Sequence, residues 1–150
     1  MSLPFGQGPL ACCCGIGCGD LPLTLTAVFS GTASCGCDGG SIYSGDANGT
    51  YILPYSSGQW AATGTANSIS RVDYSDSGCT AYEGGPFFDT PVIFIECNGT
   101  GLTIRISCTT FGVDIFEGSP IAPLTNGMVV PTNNVCPGYG YGEGTCTLSW

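Results

Sequence analysis

Apolar and polar residues alternate most regularly over residues 91–108, PVIFIECNGTGLTIRISC. Ile93, Ile95 and Cys97 fall on one side and Val92, Phe94 and Glu96 on the other. Asn98-Gly99 then supplies residues that tolerate positive φ, and Leu102, Ile104 and Ile106 alternate with Thr103, Arg105 and Ser107. This is the pattern of a β-hairpin with one dry face and one face of Thr, Arg and Ser. A two-residue Asn-Gly loop pairs Ile95 with Leu102 and Ile93 with Ile104. A four-residue loop pairs Ile95 with Ile104, and both keep apolar against apolar.

The same period of two marks further strands. In LPLTLTAVF, residues 21–29, Leu23, Leu25, Ala27 and Phe29 point inward and Thr24, Thr26 and Val28 outward. SIYSGDANGTYILPY places a second Asn-Gly hairpin at Asn48-Gly49, with Tyr51, Leu53 and Tyr55 on one side, and residues 55–59 turn toward Trp60. A weak strand follows at 69–74. Residues 84–91, GGPFFDTP, lead into the central hairpin, and residues 110–117 set Phe111, Val113 and Ile115 on one side. The proline-bearing SPIAPLTNGMVVP reads as an edge or an extended connection. Cys146, Leu148 and Trp150 align in a last strand. The pattern predicts an all-β, antiparallel β-sandwich of immunoglobulin-like or jelly-roll type with about eight to ten short strands.

Length and composition leave that picture intact and narrow the chemistry. At 150 residues the chain suits one domain, placed at 21–150, preceded by an extended cysteine-rich arm over 1–20. Eleven acidic residues against Arg71 and Arg105 give a net charge of −9, with no lysine and no histidine. Phosphate backbones and anionic membranes should repel such a surface, so neither nucleic acid nor membrane is an expected partner. Without histidine there is no Ser-His-Asp or Cys-His group, and without lysine no Schiff base and no P-loop. An enzyme would have to work with carboxylates or a lone thiolate, and a non-enzymatic role without a cofactor is expected.

Eleven cysteines alter the reading of where the chain works. The first residues, MSLPFGQGPLACCCGIGCG, carry neither a basic n-region nor an apolar h-region, unlike a secretory signal. Yet this cysteine content suits oxidising surroundings. A protein made without a signal peptide that later acts outside the cell fits a virion component released by lysis; a non-classically exported or a natively reduced protein are the alternatives.

The disulfide candidates are Cys12, Cys13, Cys14, Cys18, Cys35, Cys37, Cys79, Cys97, Cys136 and Cys146. Four thiolates at 12–18 could hold zinc or an iron-sulfur cluster, but three adjacent cysteines chelate poorly, and stapling of the arm is preferred. Cys35 and Cys37 are expected to reach different partners. Cys97 and Cys108 should lie too far apart to bridge. The preferred pairs are Cys79 with Cys97 and Cys136 with Cys146, with Cys35 or Cys37 tying the arm to the domain. An odd count leaves at least one thiol free or bonded to another chain.

Other motifs have a plain reading beside a sharper one. Asp46, Asn48 and Thr50 resemble half a calcium loop but lack the closing acidic residue, so a turn is preferred. Asn48 and Asn98 each head an N-glycosylation sequon, at positions where turn geometry already calls for Asn-Gly. Of the adjacent Phe87 and Phe88, one could be offered to a neighbouring molecule, although burial under a loop is preferred. Tyr139 and Tyr141, displayed on glycines, could stack on sugars, and an interface role is preferred.

CCCG at 12–15, LTLTAVFSG at 23–31, NGTYIL at 48–53 ahead of Trp60, the cysteine-led NGTGLTI hairpin and the terminal Cys146-x-Leu148 together resemble cysteine-rich β-sandwich structural proteins of phage virions and of related environmental bacterial surfaces. The resemblance spans most of the chain and implies a sandwich without transferring an activity. The expectation is a structural subunit of a virion, most specifically a capsid decoration or cement protein, that forms a homo-oligomer or meets other virion subunits. A filament or surface-layer subunit joined by arm or strand exchange, and a receptor- or carbohydrate-binding module, are the alternatives.

Overall fold

A computed structural model describes residues 17–99, 101–120, 123–138 and 140–150. These residues form a 3-10 turn, Cys18–Asp20, and twelve strands: β1 (Thr24–Cys35), β2 (Ser41–Asp46), β3 (Gly49–Ser56), β4 (Gln59–Thr63), β5 (Ile69–Tyr74), β6 (Tyr82–Asp89), β7 (Val92–Asn98), β8 (Gly101–Cys108), β9 (Val113–Gly118), β10 (Met128–Asn134), β11 (Gly140–Tyr141) and β12 (Glu143–Ser149).

Eight of them close on themselves. The order is β1-β12-β10-β9-β8-β7-β4-β3 and back to β1, every neighbour antiparallel. The all-β antiparallel expectation holds. Two separate stacked sheets do not describe this circuit: a continuous ladder joins its strands into a barrel, which leaves no free edges within it. Inward positions fill the interior. Leu25 faces Leu53, Phe29 faces Cys146, and Cys146 faces Val130 across successive ladders. Leu25, Leu53, Ile95, Ile104 and Leu148 are fully buried, each worth about 1.5–3 kcal/mol of transfer free energy.

The central hairpin is β7–β8. Ile95 pairs with Ile104, Ile93 with Ile106 and Cys97 with Leu102, the second of the two expected registers, but the ladder runs on to Asn98 with Gly101, so Asn98 belongs to the strand and not to the loop. The shift from the tight-loop alternative is two residues, so each side chain keeps its face. The turn at 55–59 also forms. Tyr55 pairs with Trp60, and Ser57 and Gly58 both take positive φ, as a twist-compatible two-residue hairpin requires.

β1 is long enough to serve two sheets. Through Gly31 it pairs with β3 and β12 in the barrel; from Thr32 it pairs with β2 and β11. The second sheet continues through β5 to β6. The hairpin expected at Asn48-Gly49 is therefore absent: β2 and β3 flank successive halves of β1 and do not pair with each other. Asn48 marks the crossing, its Oδ1 accepting from the Gly31 N–H at 2.7 Å. The Asn-Gly signal belongs to a change of sheet, driven by the length of β1.

Three further expectations are corrected. Leu23 is 73% exposed, because it precedes the ladder that starts at Thr24. Residues 128–134 form a barrel strand, tolerated despite Pro131 because β9 pairs only with Asn133 and Asn134 and needs no N–H from that proline. In β9 the side facing the core changes at a bulge, so that Ile115 and Phe116 are both fully buried, and the Phe116 ring lies 5.0 Å from that of Phe29.

Candidate interaction site

Among the described residues β6 borders the second sheet and pairs only with β5. Residues 84–91 therefore do more than lead into the hairpin. Phe87 and Phe88 are neighbours on this strand, so they point to opposite faces of the sheet, and both are exposed, at 45% and 56%. The preferred burial under a loop does not hold for either ring at these exposures. Tyr82, on the same strand, is also exposed, and its hydroxyl donates to the Gly85 carbonyl at 2.6 Å. Pro86 follows a cis peptide bond, and proline suits a strand with one open side.

Arg71 on β5 fixes the inner side of this edge. Its guanidinium lies 4.9 Å from the Phe111 ring centre and 5.3 Å from that of Phe87, while Nε sits 3.0 Å from Asp73 Oδ1. One of the chain's two cations is thus engaged by two rings and a carboxylate. The other, Arg105, lies over Phe94 at 5.1 Å and 3.7 Å from Asp114 Oδ1. Neither stands ready to bind an anion.

The cysteines hold three parts of the molecule together. Cys18 is bonded to Cys97, Cys35 to Cys136 and Cys37 to Cys79. The pairs Cys79–Cys97 and Cys136–Cys146 are thereby corrected: Cys97 sits at the tip of the barrel hairpin, beside the 3-10 turn, whereas Cys79 lies in the loop joining β5 and β6. Cys146 points into the barrel, away from the loop it was expected to staple. Cys35 and Cys37 do reach different partners, and Cys97 and Cys108 are not bridged to each other. Cys12, Cys13 and Cys14 lie outside the described residues, as do Tyr139 and the side chain of Tyr141.

Cys108 and Cys146 are free thiols with no exposure. Burial pushes each up to about 12; the Asp89 carboxylate adds to the effect at Cys108. Thiols held protonated in a packed interior are poor nucleophiles. Tyr51, inside the same barrel, donates its hydroxyl to the Ala47 carbonyl at 2.7 Å, and burial, with Asp46 as a second cause, pushes it up to about 12.

The carboxylates that might suggest chemistry are occupied by backbone. Asp76 accepts from the Ala81 N–H at 2.7 Å, the Thr80 hydroxyl at 2.8 Å and the Thr80 N–H, which hold it below the usual carboxylate range and order the loop around Cys79. Asp46 Oδ1 accepts from the Asn48 N–H at 3.2 Å, and Asn48 Oδ1 is taken by Gly31. Two of the three oxygen ligands of the half calcium loop thus serve the sheet crossing. Among the described residues no group of three or more Cys, Asp or Glu side chains is placed to hold a metal ion.

Concave surface is modest. A cleft of about 220 Å³ is lined by Leu21, Leu23, Tyr55, Trp60 and the Cys18–Cys97 disulfide. Trp60 packs edge-on to Tyr55 at 4.8 Å and donates Nε1–H to the Pro22 carbonyl at 2.9 Å. These contacts lock the cleft to the strand entry and leave no indole donor for a ligand. An open depression of about 400 Å³ lies at Ser30, Pro131 and Glu143.

Three disulfides suit an oxidising, extracellular setting. No helix among the described residues is long and apolar enough to cross a membrane. No protein-family model, no curated protein and no solved structure matches the chain.

Proposed function

We propose that this chain is a non-enzymatic structural subunit of a virion surface, most specifically a decoration or cement protein on a phage capsid. The observation that carries the reading is an apolar edge strand on a covalently stapled body. Soluble β proteins blunt their sheet edges with charges, bulges or cover. β6 carries such devices in Glu83, Pro86 and an irregular ladder with β5, yet it still presents Tyr82, Phe87 and Phe88 to the surroundings, on a sheet whose neighbouring loop is fixed by Cys37–Cys79. A stapled body with exposed rings on an edge strand suits repeated contact with neighbouring subunits. The acidic, lysine-free composition suits a surface that stays clear of nucleic acid.

Negative-stain microscopy of the native source, with antibody against this chain, tests the reading. Label on the outside of a capsid supports it; label absent from all particles sinks it.

A second reading is a filament or surface-layer subunit, and the outer side of β6, which has no strand partner among the described residues, favours it, because a strand donated by the next subunit could extend the sheet there. A polymer built from this chain alone selects the filament over decoration.

A further inference from the structure

We propose that the outer face of the barrel over β3, β1, β12 and β10 is the contact surface for a second copy of this chain. The proposal deepens the structural-subunit reading by naming the surface through which copies meet.

The ladder registers define the face. Thr50, Val28, Thr147 and Val129 form one row across the four strands, and Ile52 with Thr26 forms the next. Val28, Ile52 and Val129 are exposed, and Thr147 lies half-buried between the two valines. Scattered surface apolar residues need no explanation. Three β-branched side chains in adjacent rows, interleaved with threonines, make a continuous patch. Such side chains are already restricted at χ1, so docking them costs little rotamer entropy.

Charge selects the occupant. The chain carries net charge −9, so two copies repel wherever carboxylates meet. Glu96 belongs to β7, across the barrel; Asp114 and Glu117 belong to β9, which borders β10 at its Asn133 end, beside Glu143; and the second sheet carries Asp73 and Glu83. On the four strands of the proposed face, the outward positions carry no charge until Glu143, at the end nearest the second sheet. Away from that end, the described residues of this face let two acidic copies approach without setting like charges against each other. Threonine hydroxyls supply donors and acceptors there without desolvating an ion. A cationic partner would be drawn to the acidic sides of the molecule instead.

Sedimentation velocity on the full oxidised chain tests the proposal. The expected result is a monomer–dimer equilibrium whose dimer fraction rises with protein concentration and with added salt, which screens the repulsion between the two copies. Val28→Glu and Val129→Glu should each weaken the dimer at least tenfold, whereas Phe87→Glu with Phe88→Glu should leave it intact. Circular dichroism melts check the fold of each variant, and Ile52→Glu stands in for either valine variant that does not fold. A dimer insensitive to Val28→Glu and Val129→Glu but lost in the Phe87/Phe88 variant overturns the face while leaving the subunit reading in place. A monomer at every concentration and salt overturns the face, even where that monomer binds purified particles; the microscopy above then decides the subunit reading alone.

Discussion

Asp89, at the end of β6, accepts the backbone N–H of Thr110 at 2.9 Å and joins the second sheet to the turn between β8 and β9. The same oxygen accepts from Phe111 N–H at 3.2 Å, and the other from Thr90 N–H at 2.8 Å. Asp89 is only 7% exposed, and its removal takes the acceptor from two N–H groups of the turn. Asp89→Ala is expected to cost about 2–4 kcal/mol, since each lost bond to a charged acceptor is worth roughly 1.5–3 and the turn relaxes in part. Asp89→Asn keeps one strong acceptor and should cost about half as much. Urea unfolding of the two variants beside the native chain gives the order, and equal stability of all three would remove Asp89 as the tie between sheets.

Phe29 lies over glycines from two strands. A Cβ at Gly144 would come within 2.5 Å of Phe29 Cζ and 2.7 Å of Thr132 Oγ1, and one at Gly31 within 2.9 Å of the same ring. Phe29 is 1% exposed and cannot swing out. Gly144→Ala should therefore destabilise by about 1–3 kcal/mol through overpacking. Phe29→Leu alone loses ring contacts, including that with Phe116, and should also destabilise. The two together should cost less than their sum, because the smaller side chain makes room for the methyl group. A double-mutant cycle from denaturant midpoints measures the coupling, and strict additivity would mean that the ring and the glycine do not meet.

Period-two alternation made the core of β1, β3, β7, β8 and β12 legible, because those strands have one buried face and the pattern survives a register shift of two. The closure into a barrel was not legible, since β1–β12 pairing joins residues more than a hundred positions apart and leaves no local mark. Asn48-Gly49 misled for a related reason: a sheet crossing uses the same turn chemistry as a hairpin. Phe116 escaped because a bulge changes the period where alternation is being counted. Cysteine pairing was out of reach in principle, as partner choice depends on which strand ends lie together. Phe87-Phe88 did carry a local signal, two adjacent rings that a single core face cannot hold.

The three disulfides should differ in their response to reductant. Cys97 is exposed, whereas Cys35 and Cys136 are both buried, and Cys37 and Cys79 lie between these extremes. A thiolate must reach a sulfur in line to exchange with it, so access orders the rates. Cys18–Cys97 should open first and Cys35–Cys136 last under limiting phosphine or thiol in native buffer. Differential alkylation followed by peptide mapping reads the order directly. The bridges close stretches of 79, 101 and 42 residues, each worth about 4–5 kcal/mol alone by the loop-closure model. Opening the first should therefore lower the melting temperature markedly while leaving the native β circular dichroism at 20 °C, a temperature chosen at about the maximum of typical stability curves.

Alkaline pH should unfold this protein through its interior rather than its surface. Cys108 and Cys146 hold their protons to about pH 12 in the barrel. In an unfolded chain a thiol ionises near pH 8.5. From there upward the unfolded state binds fewer protons than the native state, so stability falls with pH. The slope approaches about 1.4 kcal/mol per pH unit for each thiol. Tyr51, also held protonated to about 12, steepens the decline once the pH passes its ordinary value of 10.0. Well below pH 8.5 all three groups are protonated in both states and contribute no pH dependence. Urea midpoints measured at pH 7.5, 8.5 and 9.5 should thus be level at first and then drop. Cys108→Ala with Cys146→Ala should lower stability at every pH by opening space in the core, yet flatten the drop. A pH dependence unchanged in that double variant would place the alkaline transition elsewhere. Iodoacetamide at pH 8 gives an independent check: peptides bearing Cys108 and Cys146 should be modified only after denaturant is added.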